Sequence, residues 1–444
     1  MNTRFTLLAL LVLVTLSVPF GLLRGGVVPQ GPTLPVFSTG DQAGEVASCG
    51  CPKEDYGGTT RKAAFFDTLR ASGWEFILVD AGDLSSFQDF DAQGRLKAET
   101  LARAMATQGY DGIMLGDHDL APGPDYVRQL SGWLGQPLLA TNYTLPEGVP
   151  TERSRVVTVR GHRVGLLGFL DPGLAQHAAP WVKTEPWESA RSEVKALRQK
   201  SDLVVAMAHA PDTTSMKRLA RLYPEIDLVI GAHEGKTGLA LARVGNTYVI
   251  GSMAKGRFLT RVEVAWKPTG SIDKMTAAFL PVVETWGRRA KVDSLLANYY
   301  RQVRELTLSA DYLTQRQASL REPAVAFVGS EACVSCHSAQ NTQWKTTFHS
   351  HAHETLVKND KDQDPECQAC HTTGFGFKTG FVAPSVTPDR WEVGCESCHG
   401  GGAAHVKDTK AAYGQVSETT CRGCHTADRS PDFNYSTYRP KITH

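Results

Sequence analysis

Four copies of one five-residue pattern near the end of this 444-residue chain constrain its fold more than any other feature. They are Cys333-Val334-Ser335-Cys336-His337, Cys367-Gln368-Ala369-Cys370-His371, Cys395-Glu396-Ser397-Cys398-His399 and Cys421-Arg422-Gly423-Cys424-His425. Two thiols three positions apart can each add to a vinyl group of one porphyrin, and the adjacent imidazole then reaches the iron. Zinc ribbons and thiol redox centres also use such cysteine pairs, but neither requires a histidine directly after every pair. The pattern uses eight of the ten cysteines, so it predicts four covalently attached c-type haems.

Iron held this way takes a second axial ligand. Outside the motifs the tail has His349, His351, His353, His405 and His444, and it has no methionine, so low-potential iron with two imidazoles is expected. His353 is the expected spare, and one iron left five-coordinate could take a small ligand. His349 and His351 are expected on one helix, about 200° apart, where they would serve different haems. So many haems shared among about 120 residues make the porphyrins themselves the core, wrapped by loops rich in Gly and Pro. Without haem the tail is expected to be unfolded.

The tail from Val328 to His444 resembles tetrahaem cytochromes of the cytochrome c-554 type. The resemblance rests on the segment before Cys333, on His349-Ser350-His351-Ala352, on the glycine-rich run from His399 to His405, and on the ending Lys441-Ile442-Thr443-His444. It implies that His349, His351, His405 and His444 are the distal ligands. It does not say which of them faces which motif histidine.

Upstream, from about Val36 to Val283, apolar runs alternate with amphipathic stretches, as in an α/β fold. Four runs end on a potential metal ligand: the one from Phe76 on Asp83, from Gly112 on Asp117, from Leu203 on His209, and from Leu228 on His233. Strand carboxyl ends converge in open α/β sheets, so these groups are expected at one metal. Any one of them alone would read better as a polar turn residue.

This region, 33–283, resembles the calcineurin-like metallophosphoesterases, nearest their 5'-nucleotidase branch, and so implies an α/β sandwich. Asp41 stands in the first motif, Gly82-Asp83 in the second, and Gly116-Asp117-His118-Asp119 where Gly-Asn-His is usual; His209 and Gly231-Ala232-His233 match the later motifs. The resemblance makes Asp41, Asp83, Asp117, His209 and His233 metal ligands and His118 the catalytic histidine assisting the leaving group. Ala43 and Gly235 occupy positions where the family has histidines, and both losses fall on one of its two metal positions. One divalent ion, manganese, iron or zinc, is therefore expected. Cys49 and Cys51 lie beside the damaged position, where they could replace lost ligands, pair as a disulfide or remain reduced.

Residues 1–28, with Arg4 before the apolar run Phe5–Leu23, read as either a cleaved signal peptide or an anchor in the inner membrane. Both place the chain in the periplasm or cell envelope. Residues 284–322 show apolar positions at helical spacing and are expected to be a helical linker to the cytochrome domain, 323–444. A net charge of +1 gives no case for nucleic acid. The expected function is electron transfer with other cytochromes or quinone-linked reductases as partners. The alternatives are an active phosphoesterase, or a haem enzyme acting on a small nitrogen or sulfur compound.

Overall fold

The computed structural model describes residues 30–48, 55–86, 91–233, 235, 239–411, 413–427, 429–430 and 432–444. The apolar segment 5–23 and Cys49 and Cys51 lie outside these. Among the described residues no helix is long and apolar enough to cross a membrane.

Eleven strands build two facing sheets: β1 (Leu34–Thr39), β2 (Ile77–Asp80), β3 (Gly112–Ile113), β4 (Ser154–Val159), β5 (His162–Leu170), β6 (Leu203–His209), β7 (Leu228–Ala232), β8 (Ala242–Val244), β9 (Thr247–Gly251), β10 (Phe258–Trp266) and β11 (Ile272–Pro281). The first sheet has the order β11-β10-β1-β2-β3 and the second β8-β9-β7-β6-β5-β4. Inner neighbours run parallel, with Thr39 beside Asp80 and His209 beside Ala232, so their carboxyl ends lie at the same edge of each sheet.

Strand β6 shows why the sequence settles into this arrangement. Leu203, Val205 and Met207 enter the core between the sheets, while Val204, Ala206 and Ala208 face outward onto Val194, Leu197, Met216 and Leu219. A strand buried on both faces has no polar side to show, which is why the run reads as continuously apolar.

Helices α1 (Thr59–Ala71) and α2 (Ala92–Ala106) pack near the first sheet. The expected linker forms α3 (Ala290–Leu308), followed by a second helix at Ala310–Ser319. It is no free connector, because its apolar stripe of Val292, Leu296, Tyr299 and Val303 is buried, with Val292 against Ala63 of α1 and Ala104 of α2.

Beyond residue 320 the regular structure among the described residues is short helices, with an isolated bridge between Arg321 and Phe377. Helix α4 (Pro365–His371) carries the second motif, with proline in its first turn and Asp364 as its cap. His349 and His351 lie in a 3₁₀ turn, Phe348–His351, instead of the α-helix expected. Few large apolar side chains are buried here, Phe381 and Leu356 among them.

Candidate functional site: a metal centre and the haem ligands

In the first domain the strand ends meet as their sequence pattern anticipates. Asp83 follows β2, Asp117 follows β3, His209 ends β6 and His233 follows β7; their ligand atoms all lie within 4.8 Å of one another, and all four residues are buried. Backbone geometry is specialised to allow this. Asp83 adopts φ of 57° next to Gly82 at 94°, and a Cβ on Gly116 would stand 2.1 Å from Asp83 Oδ1. Only glycine permits that approach.

His209 contacts the Ala81 carbonyl through Nδ1 at 3.0 Å and aims Nε2 at Asp117 Oδ1, 2.8 Å away. A backbone carbonyl on one ring nitrogen fixes the other for a ligand. Asp83 Oδ2 stands 3.3 Å from both His118 Nδ1 and His209 Nε2, yet it and His233 Nδ1 are buried without a hydrogen bond. Buried polar atoms are normally satisfied, so atoms left this way at the centre of a nitrogen and oxygen cluster fit a cation.

The electrostatics agree. Burial opposes charge on Asp117, but its hydrogen bond with His209 and the His233 imidazole 3.3 Å away outweigh it and hold the carboxyl below its usual range. Burial also opposes charge on His233, but Asp117 and Asp83 lift the imidazole to about 9. Carboxylates and imidazoles of this kind release protons when a divalent ion binds them.

Asp41 falls outside the four-ligand cluster. Its Oδ2 accepts from the backbone N–H groups of His233 and Gly235, at 3.1 and 2.8 Å, which spends half of the carboxylate on the loop. Its Oδ1 is buried and unpartnered. His118 lies at the cluster, its ring centre 5.9 Å from that of His233. Asp119, to which the sequence reading gave no role, is fully buried and accepts from the backbone N–H groups of Asp83, Ser85 and Gly116 at 2.9, 2.8 and 3.1 Å. It ties the loop after β2 to the loop after β3. The acidic position in Gly116-Asp117-His118-Asp119 was the available signal.

In the tail, imidazoles face one another across gaps of one size. Ring centres lie 6.3 Å apart for His337 and His405, 6.2 Å for His349 and His425, and 6.0 Å for His399 and His444. Two imidazoles on opposite sides of one metal, with metal–nitrogen bonds of about 2 Å, place their ring centres about 6 Å apart. Nδ1 contacts the Gly414 carbonyl at 2.9 Å in His399, the Ala411 carbonyl at 3.1 Å in His405 and the Ser430 hydroxyl at 3.1 Å in His425, leaving Nε2 for iron. The residues fit haem.

The fourth expected distal ligand is not brought into such a pair. His351 is largely exposed, with Nδ1 3.4 Å from Glu354 Oε2 on the next turn. His371 makes its 2.7 Å Nδ1 contact with the Ala352 carbonyl, and among the described residues no imidazole faces it at this spacing. His353, the expected spare, is buried and stacked on Trp391, with ring centres 4.5 Å apart.

The family profile described as cytochrome c554 and c-prime matches residues 332–400. Cytochrome c-554 of Nitrosomonas europaea is 42% identical over 91 residues, 17% of this chain and 39% of the relative. The snake venom 5'-nucleotidase of Gloydius brevicauda is 25% identical over 199 residues, 41% of this chain and 33% of that protein. The chain therefore spans about two fifths and one third of these two relatives. Among solved structures, the 5'-nucleotidase precursor of Thermus thermophilus superposes with a TM-score of 0.54 at 19% identity, covering 73% of this chain and 68% of its own. That likeness is one of fold.

Proposed function

We propose that this chain, which joins a 5'-nucleotidase-like phosphoesterase fold to a cytochrome c554 domain, is an exported electron-transfer protein with four c-type haems. The observation that carries this reading is the set of three imidazole pairs spaced at 6.0–6.3 Å, each joining a motif histidine to a distant one. Haem bound there supplies reversible one-electron chemistry. The protein's part is to fix the ligand planes through the Nδ1 contacts. His405, His349 and His444 are the distal ligands of the first, fourth and third motifs in this reading. Intact mass and an absorption spectrum of protein from a host competent in cytochrome maturation test it: four haem masses are expected, and colourless protein at bare polypeptide mass overturns it.

The first domain holds one divalent metal on Asp83, Asp117, His209 and His233. A second reading, phosphoester hydrolysis, is favoured by His118 beside that cluster; turnover of a generic phosphate ester that disappears in His118→Ala would establish it. A third reading, small-ligand chemistry at the second motif, is favoured by the lack of an imidazole opposite His371 among the described residues, and a high-spin ferric signal in the resting protein would establish that.

A further inference from the structure

Tyr413 joins two ligand pairs that otherwise belong to separate motifs. Its ring stacks on His405 with centres 5.1 Å apart and planes 10° from parallel, and on His399 with centres 5.7 Å apart and planes at 25°. His405 faces the histidine of the first motif, and His399 is the histidine of the third. One aromatic ring thus contacts an imidazole from each.

The backbone around Tyr413 holds the same two rings. The Ala411 carbonyl meets His405 Nδ1 and the Gly414 carbonyl meets His399 Nδ1. A Cβ on Gly414 would fall 1.8 Å from the His399 carbonyl oxygen, so the chain can pass there only as glycine. The Tyr413 hydroxyl donates to the Gly400 carbonyl at 2.7 Å, an addition to the ring contacts that the stacking does not require. Glu396, inside that motif and buried, accepts from the backbone of Val328 and Gly329 ahead of the first motif, at 2.9 and 2.7 Å. It also accepts from Gly402, just ahead of His405, at 2.7 Å.

We infer that Tyr413 is a positioning residue that locks the imidazole planes of two haem sites to each other, so that the first and third sites respond as a coupled pair. The inference rests on the haem-ligand reading above. Each imidazole loses freedom on two counts: its Nδ1 contact removes rotation that would break a hydrogen bond, and the shared ring removes tilt that would break the stack. A change at either imidazole is felt at the other through rigid aromatic contact. Among the described residues no such shared ring joins the His349 and His425 pair to these; Phe433 stacks on His425, with centres 4.6 Å apart, and Tyr438 packs edge-on to both.

The test uses the full, haem-loaded chain with Tyr413→Leu and Tyr413→Phe, read by low-temperature paramagnetic resonance and potentiometric titration. In Tyr413→Leu, two low-spin ferric signals should shift their g-values and two reduction waves should move together, while the remaining signals stay fixed. Tyr413→Phe, which keeps the ring and loses only the hydroxyl, should restore both readouts. The inference is overturned if the leucine variant leaves every signal in place, if all signals move alike as in general unfolding, or if phenylalanine behaves as leucine does. Absence of paired-imidazole signals in the unaltered protein would instead remove the ligand reading beneath it.

Discussion

Gln93 of α2 donates through Nε2 to Asp364 Oδ1 at 2.8 Å, and the same amide reaches the Tyr299 hydroxyl at 3.0 Å. A side chain of the phosphoesterase-like fold thereby holds the residue that caps the helix of the second haem motif, with α3 contributing from the third side. Lys97, one turn further along α2, pairs with Glu366 in that helix.

Replacing Gln93 with leucine should leave the buried Asp364 carboxylate short of a donor. The expected cost is about 1–3 kcal/mol, read as a lower denaturant midpoint. The second haem's spectrum should change before that of the others, because its helix loses the restraint first. A midpoint equal to that of the unaltered protein would mean that water replaces the amide.

Gly116→Ala puts a methyl group into the metal cluster, 2.1 Å from Asp83 Oδ1 and 2.6 Å from His209 Cε1. Overpacking of this kind costs about 1–3 kcal/mol, and here the strain falls directly on two proposed ligands. Metal content after dialysis should drop from near one per chain towards zero while haem content is unchanged. Retention of full metal would show that the four side chains are not its ligands.

Acidity offers a separate check on the metal-free domain. His233, lifted to about 9, adds stability that is complete below its ordinary value of 6.5 and is lost as pH rises through about 9. Asp80, pushed up to about 7 chiefly by burial, acts in the same direction between its ordinary 3.8 and about 7. Lys62, lowered to about 8 by burial, opposes them from about 8 upward. The melting temperature of chelator-treated protein should therefore fall between pH 6.5 and 8, and zinc affinity should rise over the same window because the metal displaces those protons. A flat melting profile would contradict the assignment.

Glu396→Ala removes the acceptor for three backbone N–H groups. Each bond to a charged group contributes about 1.5–3 kcal/mol, so the first and third motifs should come apart locally. Partial loss of the His337 and His405 pairing should appear as a high-spin fraction, and an unchanged spectrum would place the stabilising contacts elsewhere.

The meeting of Asp83, Asp117, His209 and His233 was legible because its signal is local: an apolar strand ending in a polar side chain reads the same in sequence and in space, as β6 and His209 show. Asp119 escaped notice because its role is to accept N–H groups from residues 34–36 positions away, which no spacing announces. The same limit explains the histidines. That His349 faces His425 depends on long-range packing, and His351 turns to Glu354 because a 3₁₀ turn, tighter than the expected helix, redirects it into solvent. The stripe on α3 was visible, but its partner was not, so a packed helix looked like a connector.

The seam at Gln93 and Lys97 also bears on how the molecule is made. Its contacts with Asp364 and Glu366 hold the cap and first turn of the helix that carries Cys367 and Cys370, so the second motif takes its final shape against the first half of the chain.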